Sequence, residues 1–572
     1  MLNLPRVTKK KQHVLTLSNF SGGLNNRSSS VEINDNESPE LLNVDFSISG
    51  AVSKRLGTAL VGDDQGNVKV LGLHAAYYGA GLAKLLMHVN VGAASKLFYR
   101  TTGNWSEATG TAIANADVEF ENFYDGSNQM TFFTDGTTYA KFNPSGTATA
   151  AATASPANVG TMLKVYKNRM YQAGSSTVPE RVYFSDIGDG DAWTSGNYFD
   201  VPSQAISTTG TTGDIITAMA VHQDRLIIFK SRSVYAWDGN SLIEITRNHG
   251  CVGKRAYCQV ENHLYFADND GIYALSGNFI DKVSKKIQAT WDVIPAARKG
   301  EIVMKYFNGK VYIATAAAGS STNNIVLVNY PNLPQDSEGQ HPWSYWSSSD
   351  SVNSPLAISC FAVYTSSTTA APILVGGLAN AQSMCIQLES GNADVTHSTG
   401  LSDLSINSYW KSKVFTLPSR HRRQFITYMS QSVASNLNVI TSFDFDAVTS
   451  LNTYQMFSTG AAVYSDKAWV TSTAYAVNDT VVNSGTGYRC LVAHTSGTFA
   501  TDLAAGKWTS LGVIGTTGVY DVMKYGGLTT IIGKGQVSER GKFFQFQIFN
   551  NAASQPWTVY RLQETYSPIT LR

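Results

Sequence analysis

The sequence predicts an all-β protein organised around a β-propeller of about six or seven blades. The first observation is a pattern that returns at intervals of roughly forty residues between about 70 and 390, in which a small polar turn is followed by a strand and then by a second strand that ends in a turn. The second is the composition. The 572 residues include 48 Gly, 28 Tyr and 25 Phe but only 15% charged residues, which is typical of tight turns between aromatic-rich strands. A repeat of this length with strands and no helix is typical of propeller blades.

The repeat is clearest in four copies, each with an Asn or Asp in a small polar turn that is followed by a strand. Two of them read YKNRMYQAG and VHQDRLIIFK, and fainter copies such as AKLLMHVNV, NQMTFFTDG and PILVGGL extend the series in both directions. We therefore assign 61–400 to the propeller, and we expect the four polar residues to set the geometry of their turns. These residues are Asn168, Asp224, Asn262 and Asn308.

Charge and cysteine content argue against several classes of protein. A net charge of +1 gives no overall attraction to nucleic acid or to an anionic membrane. The five cysteines form no CxxC pair, so we expect reduced core residues rather than a disulfide framework or a thiolate metal site. No run of eighteen apolar residues occurs, and we expect a chain made in a cytoplasm without a membrane anchor.

The segment 1–60 begins with a basic stretch, 1–12, which we interpret as a flexible N-terminal arm. Three motifs follow: F-x-G-G-L-N from Phe20, I-x-D-x-E-S-P-E-L-L-N-V from Ile33, and G-A-V-x-K-R-x-G from Gly50. These motifs resemble the opening of the tail nozzle proteins of short-tailed phages, also called tail tubular protein B or stabilisation protein. The resemblance implies that a β-propeller follows the motifs and that the protein forms a sixfold ring extending the tail channel.

The C-terminal region, 401–464 and 513–572, alternates apolar and polar residues in a way that predicts the strands of a β-sandwich-like domain. Its phrase G-K-F-F-Q-F-Q-I-x-N-x-x-x-x-Q-P-W-x-V-Y, which starts at Gly541, resembles the closing segment of the same phage family. The basic cluster Arg420, His421, Arg422 and Arg423 could face nucleic acid or an acidic neighbouring subunit. A solvated loop between strands is the favoured interpretation.

Residues 465–512 form an insertion between these two pieces. They carry the string W…Y…N-D-x-V…Y-x-C…H-T-S…W, which resembles the small three-stranded carbohydrate-binding module of chitinases and phage tail proteins. A sugar stacks on exposed aromatic rings, so the candidate carbohydrate-binding residues are Trp469, Tyr475 and Trp508. A domain of this size also needs aromatic rings for its core, which leaves the exposure of each ring open. Of the remaining residues in the string, we interpret Tyr488 and Cys490 as core, Asp479 as a turn residue and His494 as structural.

Two acidic clusters lie within the propeller. The carboxylates of Asp186, Asp189 and Asp191 in FSDIGDGDAW could bind Ca²⁺, but the spacing of an EF-hand loop is absent and a structural turn is favoured. The same choice arises at DNDG, which ends at Gly271. There we predict a hairpin turn with the glycine at a positive φ.

The search for an active site finds none of the motifs HExxH, GxSxG, Walker A or a GxGxxG between strand and helix, and the ten histidines lack metal-ligand spacing. We therefore expect that the protein is not an enzyme and has no catalytic residue, metal or cofactor. Two alternatives to a structural role stay open. One is a host-recognition protein whose module binds glycan and whose propeller is a scaffold. The other is a polysaccharide-degrading propeller enzyme.

The resemblance to nozzle proteins implies a structural virion protein of the phage tail, assembled in the host cytoplasm. It implies a hexameric ring of identical subunits that extends the DNA-ejection channel and supports host attachment. The further partners implied are a tail adaptor or connector protein, tail fibres or spikes, and phage DNA that passes without sequence-specific binding. The inserted module adds a host surface glycan as a possible partner.

Overall fold

A computed structural model describes most of the chain. The predicted basic arm lies outside the described residues except for its last position. The described residues are 12–48, 50–63, 65–66, 69–78, 82–91, 94–110, 113–114, 116–143, 148–152, 154–202, 214–350, 354–366, 370–380, 384–397, 401–432, 438–443, 452–455, 469–477, 479–484, 486–513, 522–525, 528–536, 540–550 and 556–568.

Seven sheets among the described residues form the blades of a propeller, here numbered in chain order. The innermost strands of neighbouring blades lie side by side around a channel. Between blades 4 and 5, His222 Nδ1 lies 2.9 Å from Gln259 Oε1. Between blades 7 and 1, Ser359 Oγ donates to the carbonyl of Val70 at 2.6 Å, so the ring is continuous where its two ends meet. The predicted all-β propeller is confirmed, with seven blades.

Each blade has four antiparallel strands, and blade 2 carries an additional short strand in parallel. From the innermost strand outward, the strands are Val70–Tyr77, Ala83–Val91, Ala94–Arg100 and Ser106–Glu107 (blade 1); Glu119–Tyr124, Gln129–Thr134, Tyr139–Phe142, Ala148–Ala151 and Thr109–Gly110 (blade 2); Met162–Tyr166, Arg169–Ala173, Arg181–Phe184 and Tyr198–Asp200 (blade 3); Ile216–His222, Arg225–Lys230, Val234–Trp237 and Leu242–Thr246 (blade 4); Tyr257–Val260, His263–Asp268, Gly271–Ser276 and Phe279–Lys282 (blade 5); Val303–Phe307, Lys310–Thr315, Ile325–Asn329 and Trp343–Ser347 (blade 6); Ile358–Tyr364, Ile373–Leu378, Cys385–Leu388 and Thr58–Leu60 (blade 7).

The outermost strand of blade 7 comes from the other end of the propeller segment. Thr58–Leu60 pairs antiparallel with Cys385–Leu388, with Leu60 opposite Ile386. Chain that precedes blade 1 therefore completes the last blade and fastens the ring. A strand of three residues carries no repeat pattern, which is why the sequence places it in the opening segment.

The recurring turn residues connect the first two strands of blades 3 to 6. Asn168, Asp224 and Asn308 have φ values of 56°, 54° and 49°, in the left-handed region that Asn and Asp tolerate better than most residues. In blade 5 that conformation falls on Glu261, with φ of 50°, the residue before Asn262 in the same turn. All four residues therefore lie in the predicted turns, three of them at a positive φ.

Replacing Asn168 with Val should destabilise the protein by about 1–2 kcal/mol, because a β-branched side chain is strained at a positive φ. Asn168→Gly is the matched control, since glycine adopts this conformation freely, and it should change stability by only a few tenths of a kcal/mol. Urea unfolding monitored by tryptophan fluorescence measures both. Equal stability of the two variants would contradict the turn assignment.

The strands on both sides of the module pair with N-terminal strands in one twelve-stranded sheet of the described residues. Its longest strand, Phe415–Ser432, pairs with Leu528–Gln536, Arg540–Asn550 and Trp557–Pro568. The domain boundaries themselves stay predictions. The remaining strands of the sheet are His13–Leu17, Leu41–Leu42, Val44–Asp45, Val52–Lys54, Ser408–Lys411, Asn438–Phe443, Asn452–Gln455 and Val522–Tyr525. Two small sheets stand apart, Gly23–Leu24 with Glu37–Ser38 and Asp394–His397 with Leu401–Leu404.

The loop predicted for the basic cluster at Arg420, His421, Arg422 and Arg423 is wrong. These residues lie inside the strand Phe415–Ser432, where His421 is paired with Gly541 on one side and Pro568 on the other. Pairing with two neighbouring strands favours extended backbone even where four successive side chains are polar. The helices of the described residues are all too short to cross a lipid bilayer. They are Lys285–Ile287, Gln288–Asp292, Ala296–Lys299 and Phe499–Ala504.

The motif segment 20–58, here termed the clasp, joins the propeller to the twelve-stranded sheet. Phe20 is fully buried and packs edge-on against Trp410, with ring centroids 5.0 Å apart. On the propeller side, Trp346 Nε1 of blade 6 donates to the carbonyl of Val44 at 2.9 Å. The amide of Asn43 donates to the carbonyls of Ser347 and Asn407 at 2.8 and 2.7 Å. The clasp therefore contacts both parts at once.

Buried charges of the clasp are neutralised by partners elsewhere in the fold. Arg55 forms a two-point ion pair with Asp394, with N to O distances of 2.9 and 2.6 Å and both side chains only 1% exposed. Burial alone would raise the pKa of Asp45, but the Lys310 ammonium 2.7 Å away lowers it below its usual value. Glu37 accepts from Lys286 of the helical segment at 2.8 Å. These charged residues of the segment 20–58 thus have structural roles.

Candidate functional site

The inserted module has its own small core. Its described strands are Ala474–Tyr475 paired with His494–Thr495, and Thr480–Asn483, Thr486–Cys490 and Trp508–Val513 in a three-stranded sheet, with the helix Phe499–Ala504 beside them. The core residues are Tyr475, Val481, Cys490 and Trp508, with Trp469, Tyr488, Phe499 and Leu503 packed against them.

Two of the three candidate sugar-stacking residues, Tyr475 and Trp508, are buried. Tyr475 is 7% exposed and Trp508 is 3% exposed, and the two rings meet edge to face with centroids 5.0 Å apart. A module this small has few apolar residues, so its large rings are used to fill the interior. Neither ring offers the free face that stacking on a sugar requires.

Trp469 is the one predicted binding residue that is not fully buried. It is half-buried and packs edge-on against Phe499, with centroids 5.4 Å apart. The two polar residues behave as predicted. Asp479 accepts from the backbone N–H of Ala476 at 2.7 Å and so holds the turn. His494 has its Nδ1 2.7 Å from the carbonyl of Val492 and its Nε2 3.5 Å from Asp502, which is a structural arrangement.

Replacing Tyr475 with Phe should destabilise the module by about 1 kcal/mol, because the hydroxyl accepts from the N–H of Val470 at 2.8 Å and that donor would lose its partner. Tyr488→Phe is the matched control in the same core and should have a smaller effect. Hydrogen exchange measured by mass spectrometry over 469–490 reads out the change. If Tyr475→Phe left protection unchanged, the hydroxyl would not be the structural contact described here.

The acidic clusters of the propeller are engaged in turns and ion pairs. Asp125 and Asp191 both contact the ammonium of Lys141, the former at 2.9 Å, while Asp186 accepts from Thr194 and Asn197 at 2.8 Å each. This fits the predicted structural turn.

The DNDG segment forms the predicted hairpin, with Asp268 paired to Gly271. The predicted positive φ at Gly271 is wrong, because that residue lies in the strand after the turn. His249, Asp268 and Asp270 have donor atoms within 4.8 Å of one another. Asp270 already accepts from Tyr273 and Lys282 at 2.8 and 3.2 Å.

A cluster of charged side chains lines the channel of the propeller. A cavity of about 420 Å³ is bounded by the innermost strands and by the residues that lead into blade 5. The cavity lining includes two carboxylates and four cationic side chains, which the sequence analysis did not single out. They are Glu119, Glu121, Lys164, Lys254, Arg255 and Lys305.

Two of the cationic side chains, Lys164 and Arg255, form ion pairs or hydrogen bonds with the carboxylates and carbonyls around them. Lys164 Nζ lies 2.5 Å from Glu121 and 3.5 Å from Glu119. Burial alone would lower the pKa of Lys164, but the Glu121 carboxylate raises it well above its usual value. Arg255 donates to the carbonyls of Leu71 and Val118 at 2.9 and 2.8 Å, so it ties the entry to blade 5 to blades 1 and 2.

The other two cations are less well neutralised. Lys254 donates to the carbonyl of Asp117 at 3.0 Å, and burial together with Arg255 lowers the pKa of Lys254 to about 8. Lys305 has no hydrogen bond or ion pair with any residue in the described part of the chain. Burial lowers its pKa as well. The channel therefore has an excess of positive charge.

No protein-family model and no curated protein matches the chain. Among solved structures, the computationally designed Ika8 protein aligns at 12% identity, covering 58% of this chain and 100% of that one, with a TM-score of 0.31. YCF48 from Cyanidioschyzon merolae aligns at 11% identity over 58% and 98% with a TM-score of 0.35, and YCF48 bound to D1 peptide at 10% over 59% and 97% with 0.34.

A weak signal for the channel residues is present in the sequence. Lys164 and Lys305 both interrupt apolar strands just before a recurring turn, four residues ahead of Asn168 and three ahead of Asn308. In a propeller these first strands line the axis, so a lysine there faces the channel. Recognising it requires knowing which strand of each repeat is innermost.

Proposed function

We propose that the protein is a structural virion protein, a nozzle subunit of a short-tailed phage tail. Six copies form a ring that extends the DNA-ejection channel and supports host attachment. The ring binds a tail adaptor or connector protein on one side and fibres or spikes at its periphery. DNA follows the axis of the ring, because the cavity of about 420 Å³ inside each propeller is far too small for a duplex.

The observation that carries this proposal is the meeting of the two phage-like segments in one sheet. The opening strand Val52–Lys54 pairs with the closing strand Trp557–Pro568, with Val52 opposite Val559 and Ser53 opposite Thr558. Lys54 Nζ also donates to Asn550 Oδ1 at 3.1 Å. Two resemblances found some 500 residues apart thus form one structural unit, which chance similarity of short motifs would not require.

Size-exclusion chromatography with light scattering, followed by electron microscopy of the purified chain, tests the assembly. We expect a particle of six times the 61.8 kDa subunit with sixfold symmetry. A monomer that stays monomeric at high concentration and in the presence of tail proteins would contradict the proposal.

Glycan recognition by the module is the second candidate, favoured by a compact module with its own aromatic core and by the half-buried ring of Trp469. Six modules on one ring would bind a surface with avidity even if each contact were weak. Deleting 465–512 and measuring particle adsorption to host cells tests it, with Trp469→Ala as the point variant and Tyr488→Phe as the control. Unchanged adsorption after the deletion would exclude this role.

A further inference from the structure

Among the described residues that line the propeller channel, cationic side chains outnumber carboxylates. Four cationic side chains and two carboxylates line the cavity. Asp117 lies behind the lining and acts electrostatically on Lys254 and Arg255, yet cations still outnumber carboxylates. Buried charges without a counter-charge are costly, so a cavity of this kind favours a mobile anion.

Lys305 forms no hydrogen bond or ion pair within the described part of the chain, although the Glu121 and Glu119 carboxylates act on it electrostatically. Lys305 lies on the innermost strand of blade 6, across the channel from Lys164 on the innermost strand of blade 3. Each of the two ammonium groups is close enough to act electrostatically on the other. The Tyr257 hydroxyl lies in the same lining, and burial raises its pKa, so it remains a hydrogen-bond donor at neutral pH.

We propose that the channel of each propeller binds a small, multiply charged oxyanion, held by the ammonium groups of Lys305 and Lys164 and by the Tyr257 hydroxyl. Phosphate and small polycarboxylates share this chemistry, since both present several acceptor oxygens to charged donors. The cavity of about 420 Å³ has the size typical of small-molecule sites. This inference does not rest on the role of the protein in a phage tail.

Isothermal titration calorimetry of the full chain with inorganic phosphate tests the site, with citrate as a second probe and chloride at matched ionic strength as the blank. We expect phosphate or citrate to bind, and Lys305→Gln to weaken that binding at least tenfold. Lys96→Gln removes a lysine that pairs with Glu107 on the surface and should leave binding unchanged. Since Lys305 forms no hydrogen bond or ion pair with any described residue, Lys305→Gln should not lower the melting temperature of the protein without ligand.

The variant Glu121→Gln should raise the affinity for the anion, whereas Lys305→Gln should lower it. Glu121→Gln removes the carboxylate 2.5 Å from Lys164 and leaves only Glu119, at 3.5 Å, to compete with the ligand for that ammonium, so binding should become several-fold tighter. A purely structural role of Glu121 would not raise the affinity. Failure of both probes to bind the wild-type chain, or binding that Lys305→Gln leaves unchanged, would overturn the proposal.

Discussion

The variant Arg55→Met is expected to lose about 3–5 kcal/mol of unfolding free energy. Arg55 and Asp394 are each 1% exposed, so removing the guanidinium leaves a buried carboxylate with no counter-charge. The same guanidinium donates to Asn43 Oδ1 at 2.9 Å and to the carbonyl of Leu56 at 3.0 Å. The loss should therefore loosen the clasp as well as blade 7. Urea unfolding of the full chain measures the effect.

Two control variants test whether the loss of stability comes from the buried position of this ion pair rather than from the loss of any charged residue. Arg27→Met removes a partner of Glu338 in a pair whose side chains are 51% and 61% exposed, and it should cost less than about 1 kcal/mol. The double variant Arg55→Met with Asp394→Leu should recover much of the lost stability, because no uncompensated charge stays buried. Equal losses in Arg55→Met and Arg27→Met would contradict the account of the clasp.

The variant Gly23→Ala is expected to lose about 2–4 kcal/mol, since two separate costs add. Gly23 has φ of 73°, a conformation that costs an L-residue about 1–2 kcal/mol. A Cβ at this position would also lie 2.5 Å from the backbone nitrogen of Trp343, and backbone cannot yield as a flexible side chain can. The second glycine of F-x-G-G-L-N is thus required where the clasp crosses blade 6.

Gly277→Ala is the matched control for the steric cost. Gly277 has φ of 62° but open space around its Cβ position, so its substitution should show the conformational cost alone, about 1–2 kcal/mol. The difference between the two variants, read from thermal or urea unfolding, measures the close approach to Trp343. A difference near zero would mean that the clasp does not pack tightly on blade 6.

The propeller could be predicted because each blade carries its own local signal. Asn168, Asp224 and Asn308 mark hairpins whose geometry a few neighbouring residues determine, and the apolar strands beside them repeat the same pattern. The closing strand Thr58–Leu60 could not be predicted in this way. Its partner in blade 7 lies more than 300 residues away, and three residues carry no periodicity.

The candidate sites were harder to predict for a different reason. The sequence of a small module does not show whether an aromatic residue contacts a sugar or packs in the core. Only the packing of the folded module distinguishes Trp508, which is buried, from Trp469, which is half-buried. The channel charges depend on which strand of each blade is innermost. Lys164 and Lys305 lie 141 residues apart in the chain and come together only because the ring closes.

The proposed function is tested most directly by locating the protein in the phage particle. Intact particles carrying a tagged copy of this chain would be labelled with gold-conjugated antibody and imaged by electron microscopy. We expect label only at the distal end of a short tail, on a ring with sixfold symmetry around the DNA channel. Purified particles without label, or label confined to the capsid, would contradict the assignment as a tail nozzle subunit.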